Sequence, residues 1–302
     1  MSKKCVYALG FFDGVHLGHA CLLKACRELA DELGVKAGVV TFSSHPDTLV
    51  QGATPKLINT LSDRDHLLRE RYGMDEVISL PFDETMMRTP WQDFFRQLTE
   101  EFSAAGIVCG QDFRFGHRGE GNGDKLLCAC RESRIPCIVV PEMKLGGISI
   151  SSTHIRNLIE MGLVEHAIHF LGHPHMLTGR VVHGHQLGRR LGMPTANLVL
   201  PEELVVPKFG VYACRCIVDG IVYSAVTNVG TRPTVAGVGV NVEAWILDFE
   251  GDLYDREITL QFFKFLRPEI RFPNLQALQS AVRADAEKTK EILTSFSCVQ
   301  WD

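Results

Sequence analysis

No run of apolar residues in this 302-residue chain is long enough to cross a bilayer as a helix. Basic residues are not in excess: 31 Lys and Arg stand against 36 Asp and Glu, a formal net charge of −5 that offers no general nucleic-acid surface. There is no internal repeat and no low-complexity segment, which excludes a repeat array. The ten cysteines include no pair of Cys-x-x-Cys motifs, so no zinc site of that kind is encoded. They scatter through apolar stretches such as CLLKAC, LLCACR and YACRC and read as buried, reduced, small hydrophobes. The amino-terminal stretch MSKKCVYALGFFDG reaches Phe11-Phe12-Asp13-Gly14 before a signal-peptide core forms, so a cytoplasmic protein is expected.

What is present is ordinary for a globular chain, with 45% hydrophobic and 22% charged residues and length enough for two domains. The first half alternates strand and helix. CVYALG, VKAGVVTF, DEVISL, AAGIVCG and IPCIVVPE read as strands, with SDRDHLLRERYG and TPWQDFFRQLTEEFS as helices between them. After CVYALG, the spacing of Leu22, Cys26, Leu29 and Leu33 predicts a helix that Gly34 stops. Such alternation predicts a parallel sheet covered on both faces, with a ligand beyond the carboxyl ends of its strands.

Near residue 173 the pattern changes. HIRNLIEMGLVEHAIHFLG reads as a helix pair and HPHML as a linker. Beyond them TGRVVHG, GVYACRCIV, IVYSAVTNVG, VNVEAWILDF and EITLQFFKFL read as successive short strands of an antiparallel barrel. Asp219-Gly220 is a two-residue hairpin signal, and Asn274 is placed to cap a closing helix. The predicted domains are 1–172 and 178–302.

Two stretches of the first half suggest phosphate chemistry. GFFDGVHLGH places His16 and His19 where a strand turns into a helix, whose start offers unpaired amides and partial positive charge. Gly18 leaves room for a phosphate, and the imidazoles can donate to oxygens that gain charge during displacement. In ISISSTHIRNL, Ser151, Ser152 and Thr153 begin another helix with Arg156 on its first turn, a suitable phosphate clamp. Hydroxyls at such a place otherwise cap the helix.

In the second half, GMPTAN combines a turn with Thr195 and Asn197, whose oxygens are hard ligands suited to magnesium beside phosphates. By strand alternation Glu243 shares a face with Trp245, Leu247 and Phe249, while Val242, Ala244 and Ile246 take the other. Neither face is plainly solvated, so this carboxylate needs a partner or a task.

GFFDGVHLGH, TFSSHP, GQDFRFG and ISSTHIR, in this order, resemble the FMN adenylyltransferase module of bacterial bifunctional FAD synthetases, within the His-x-Gly-His nucleotidylyltransferases. GRVVHGHQLGRRLGMPTANL, GVYA, NVGTRPT and VEAWILDFEGDLYD resemble the riboflavin kinase module of the same family. The resemblance covers nearly the whole chain. It implies an α/β fold class: a Rossmann-like nucleotidylyltransferase domain followed by an antiparallel β-barrel domain with a carboxy-terminal helix. It implies small-molecule substrates, riboflavin, FMN and ATP, with FAD as product and Mg2+ as cofactor, and neither nucleic acid nor membrane as partner.

Position by position, the resemblance puts His16, Gly18 and His19 on ATP phosphates, with Gly10, Phe12 and Asp13 in the same turn. Ser152, Thr153 and Arg156 close on that nucleotide. His45, Asp112 and Phe115 are expected near the flavin; Arg64 faces its phosphate or is a solvated helix charge. Gly184 and Asn197 bind nucleotide in the kinase half, Thr195 and Asn197 hold the metal, and Glu243 is the base toward the ribityl hydroxyl. Departures from the family pattern stand at Phe11 (usually Asn), Ser44 (often Pro), Trp245 (often His) and Asp255 (usually Gly). Rival readings are a nucleotidylyltransferase with another acceptor, which needs no kinase barrel, and a flavin sensor without turnover.

Overall fold

The computed structural model describes residues 4–50, 52, 54–183, 192–234 and 237–297. The chain divides into two compact units, one of Met1–Leu57 with Leu61–Ser152, the other of Ile58–Thr60 with Thr153–Asp302.

The first unit runs β1 (Cys5–Leu9), α1 (Leu17–Leu33), β2 (Lys36–Phe42), α2 (Asp47–Val50), α3 (Leu61–His66), β3 (Glu76–Leu80), α4 (Glu84–Arg88), α5 (Trp91–Arg96), β4 (Ala104–Gly110), α6 (Gly123–Glu132) and β5 (Cys137–Val140). A short hairpin, β6 (Lys144–Leu145) with β7 (Ile148–Ser149), follows. The five long strands form a parallel sheet in the order β3-β2-β1-β4-β5, as the alternating pattern predicts. The central β1 is buried along its whole length, which is why it reads as a continuous apolar run. From β1 the chain builds outward through β2 and β3 on one side and then returns to lay β4 and β5 on the other, so the topological switch point lies between the carboxyl ends of β1 and β4. Gly34 ends α1 in the left-handed conformation, φ 63°, and its N–H donates to the carbonyls of Ala30 and Asp31.

The second unit contains α7 (Ser152–Glu160, whose first residue belongs to the first unit), α8 (Val164–Leu171), β8 (His175–Val182), β9 (Thr195–Val199), β10 (Gly210–Val218), β11 (Ile221–Thr234), β12 (Gly237–Ile246), β13 (Glu257–Arg267) and α9 (Leu275–Ser297). Its six strands close into an antiparallel barrel in the order β10-β11-β12-β9-β8-β13. Asp219 and Gly220 turn the β10–β11 hairpin with φ 49° and 79°, as the dipeptide predicts. Asn274 caps α9, its Oδ1 accepting from the Ala277 N–H at 2.8 Å. Among the described residues no helix is long and apolar enough to cross a membrane, and the nine described cysteines are free thiols, six of them buried.

Three local expectations are corrected. The predicted linker is already strand: His175, Met176 and Leu177 pair with Phe262, Gln261 and Leu260, and all three are buried in the barrel wall. Thr195 and Asn197 lie on a strand rather than in the turn before one, because β9 closes the barrel between β12 and β8. Strand β12 ends at Ile246, short of Phe249, where Asp248 turns the chain with φ 58°.

Candidate active sites

In the first unit the chain leaves β1 through a tight turn that only a few left-handed residues allow. Phe12 (φ 59°), Gly14 (79°) and Val15 (39°) all lie there, and a β-branched residue such as Val15 is costly in that region. The turn is held by donors from elsewhere in the unit. The Phe11 carbonyl accepts from Thr41 Oγ1 at 2.9 Å and from Arg64 Nη1 at 2.8 Å. The Asp13 carbonyl accepts from Ser152 Oγ at 3.0 Å, and the Val15 carbonyl from Tyr72 Oη at 3.4 Å. Thr153 and Arg156 lie on α7 in the second unit, with Arg156 Nη1 3.5 Å from Thr153 Oγ1.

His16 is the N-cap of α1, and its Nδ1 accepts from the His19 N–H at 3.3 Å. With Nδ1 so used, a neutral His16 carries its proton on Nε2. The two imidazoles stack with ring centroids 3.6 Å apart. Burial, then the neighbouring His16 and Arg64, hold the His19 pKa well below the usual imidazole range, so His19 is neutral at pH 7. His19 Nδ1 is buried without a partner among the described residues, a polar atom available to a ligand. The expectation for Gly18 is refined: a Cβ there would sit 3.1 Å from His16 Cε1, so glycine admits the His16 ring before any phosphate. Gly10 is similar, since a Cβ would sit 3.1 Å from the Phe12 ring. Asp13 is buried beneath the turn.

Arg64 is not a solvated helix charge. It is 4% exposed, and besides the Phe11 carbonyl it holds the Phe42 carbonyl from Nη2 at 2.6 Å. Burial lowers its pKa to about 10, and it stays cationic. Its guanidinium lies 4.8 Å over the Phe11 ring, which meets the His45 ring edge-on at 4.6 Å. His45 Nδ1 accepts from the Asp47 N–H. A cavity of about 760 Å³ nearby is lined by Phe42, Phe82, Met86, Phe94 and Phe115, together with Arg114. Phe115 belongs to the hydrophobic core and presents part of its ring there, whereas Asp112 is exposed.

In the barrel unit, register assembles the site. Glu243 of β12 stands opposite Asn197 of β9 and Asn228 of β11; one step along, Trp245 stands opposite Thr195 and Val226. These six share one face of the sheet. The other face carries Thr227, Val229, Val242 and Ala244, all fully buried, and fills the barrel. Glu243 is half-buried and its Oε1 accepts from Asn241 Nδ2 at 2.8 Å. Five of the six, all but Asn197, line a pocket of about 390 Å³ together with Val211, Arg267, Glu269, Phe272 and Asp285. Thr195 borders a second, smaller pocket of about 80 Å³, lined also by Asn197, Asp252 and Tyr254.

Sequence reasoning missed several of these groups. Arg267 and Asp285 form a two-pronged ion pair at 2.7 and 3.0 Å, and Asn228 Nδ2 donates to Glu269 Oε1 at 3.1 Å. The signal was confined to strand register and to the packing of α9 on the barrel, neither of which local spacing carries. Gly184 lies outside the described residues. Asp255, where the family has Gly, has φ 62°, a conformation that suits glycine and that Asp tolerates better than most.

Residues 1–154 match the FAD synthetase family and residues 171–293 the riboflavin kinase family. A bifunctional riboflavin kinase/FMN adenylyltransferase of Pseudomonas fluorescens is 37% identical over 96% of this chain and 93% of its own length. One of the same description from Listeria monocytogenes is 31% identical over 94% and 91%. Among solved structures, a macrolide-efflux protein from Streptococcus pneumoniae resembles the chain with TM-score 0.86 and 30% identity, over 96% of this chain and 95% of that one.

Proposed function

The chain belongs to the bifunctional riboflavin kinase/FMN adenylyltransferase family, and on that premise we propose how its two units divide the work. It is a transferase that phosphorylates riboflavin with ATP to give FMN and adenylylates FMN with a second ATP to give FAD. We assign adenylylation to residues 1–172 and phosphorylation to residues 178–302, with action in the cytoplasm on small molecules alone.

In the kinase reaction the Glu243 carboxylate takes the proton of the ribityl hydroxyl, whose oxygen attacks the γ-phosphorus of ATP as ADP leaves. The observation that carries this reading is the register that puts Glu243 opposite Asn197 and Asn228, with Glu243 and Asn228 lining the 390 Å³ pocket. Thr195, Asn197 and Glu243 present only hydroxyl, amide and carboxylate oxygens in two adjacent rows, a donor set that fits Mg2+. Thr195 and Asn197 would hold the ion, which when bound neutralises phosphate charge.

In the adenylylation, an FMN phosphate oxygen bonds to the α-phosphorus of ATP, and the bond to the β-phosphate breaks to release pyrophosphate. The nucleophile is already ionised and needs no base. His16 Nε2, the Gly10–Asp13 turn and the α1 start bind the phosphates and donate to charge as it moves. Ser152, Thr153 and Arg156 act on the same nucleotide. The aromatic cavity bordered by Phe115 takes the flavin ring, and His45 and Asp112 are assigned to its surroundings.

Incubating the protein with riboflavin, ATP and Mg2+ and separating the products by chromatography tests both halves. FMN followed by FAD is expected. Failure to make FAD from supplied FMN would overturn the adenylylation, and unchanged riboflavin would overturn the phosphorylation.

A further inference from the structure

Arg64 is a buried cation whose hydrogen bonds go to backbone. Its fork spans the carbonyl of Phe42, the last residue of β2, and that of Phe11, just beyond β1. It thereby clasps the carboxyl ends of two neighbouring parallel strands, of which β1 borders the switch point of the sheet. Burying a guanidinium is costly unless it is well satisfied, so two short charge-assisted bonds here indicate a task. The task is visible in the turn. The carbonyls of Phe11, Asp13 and Val15 all accept from side chains outside the turn, and that of Phe12 accepts from the Val15 N–H. A turn that contains two left-handed non-glycine residues persists only where its surroundings over-determine it.

We propose that Arg64 is a positioning residue for adenylyl transfer: its fork on the Phe11 and Phe42 carbonyls holds the Phe11–His16 turn in its strained form. This rests on the adenylylation reading above, and it gives Arg64 a role behind the turn in place of contact with the flavin phosphate.

The test compares Arg64→Met and Arg64→Lys with the unaltered protein, measuring FAD formation from FMN and ATP, FMN formation from riboflavin, and melting. Misplacing a reacting group by about 1 Å costs on the order of 100-fold in rate, so Arg64→Met should lose roughly that factor in kcat for FAD formation. KM for FMN and for ATP should change by no more than about threefold, because the lost interaction acts through the turn. Lysine keeps the charge without the fork and should recover only part of the loss. Riboflavin phosphorylation should be unchanged in both variants.

A loss confined to KM for FMN would overturn the proposal in favour of direct flavin contact. Full kcat in Arg64→Met, full recovery by lysine, or a kinase loss in parallel would overturn it as well. Should Arg64→Met not fold, the lysine variant decides on the same criteria. Absence of FAD formation by the unaltered protein would instead defeat the adenylylation reading itself.

Discussion

The two units build their sites in opposite ways. In the α/β unit the groups proposed to hold the phosphates at the end of β1 lie within ten consecutive residues, Gly10 to His19, and the rest of the unit supplies donors that fasten that turn from behind. In the barrel the groups that face one pocket come from β9, β11, β12, the end of β13 and α9, and no two of the central ones are adjacent in the chain. The first is a strained local device held by tertiary contacts; the second is a constellation that exists only through register. The lesson concerns tolerance. A backbone device depends on its supports more than on side chains touching the ligand, whereas a register-built site depends on each side chain and gains little from local sequence.

The sharpest way to break this contrast is Glu243→Gln, which keeps size and hydrogen-bonding reach but cannot serve as a carboxylate base. Riboflavin phosphorylation should lose roughly two to four orders of magnitude in kcat, the worth of a positioned proton acceptor, with much smaller changes in flavin and ATP affinity. FAD formation from FMN should be almost unaffected. A stable variant with full kinase activity would remove the base assignment.

Next in size is His16→Ala. It removes both the Nδ1 cap on the His19 N–H and the Nε2 group proposed to donate to phosphate. FAD formation should fall by roughly 10²–10³, as when one oxyanion donor is removed, while riboflavin phosphorylation measured on the same preparation holds steady. A parallel fall of both activities in a folded protein would mean that the units do not work separately.

The smallest effect belongs to the barrel core. His175 is fully buried, neither ring nitrogen has a partner among the described residues, and burial followed by the charge of His173 lowers its pKa to about 3. Between pH 6.5 and about 3 the unfolded chain binds a proton there that the folded one does not, so stability falls as the pH drops through that window. The share of this group at pH 5 is about 2 kcal/mol. His175→Phe should flatten the acid side of the melting-temperature profile relative to the unaltered protein. Profiles of identical slope would show that His175 does not contribute.

Much of this was legible in the residues. The strand–helix alternation, the His16–His19 turn, the Asp219-Gly220 hairpin and the Asn274 cap each depend on neighbours within a few positions, so spacing alone foretells them. Strand β8 was half missed because His175 reads as a polar residue in a linker, although it is buried against Phe262. Arg64 reads locally as a solvated helix charge for a similar reason, although it is buried. Its helix position is polar by pattern, and nothing local reveals two waiting carbonyls.

The sequence by itself determined the order of elements, the two-part organisation and the residue types able to handle phosphate, because periodicity, glycine and capping act over short ranges. Only the tertiary structure decided that Glu243 meets Asn197 and Asn228, that Arg267 pairs with Asp285, and that Arg64 fastens two strand ends. Those outcomes rest on register, barrel closure and burial. Each brings together residues many positions apart, and chain-local preferences carry no information about such meetings.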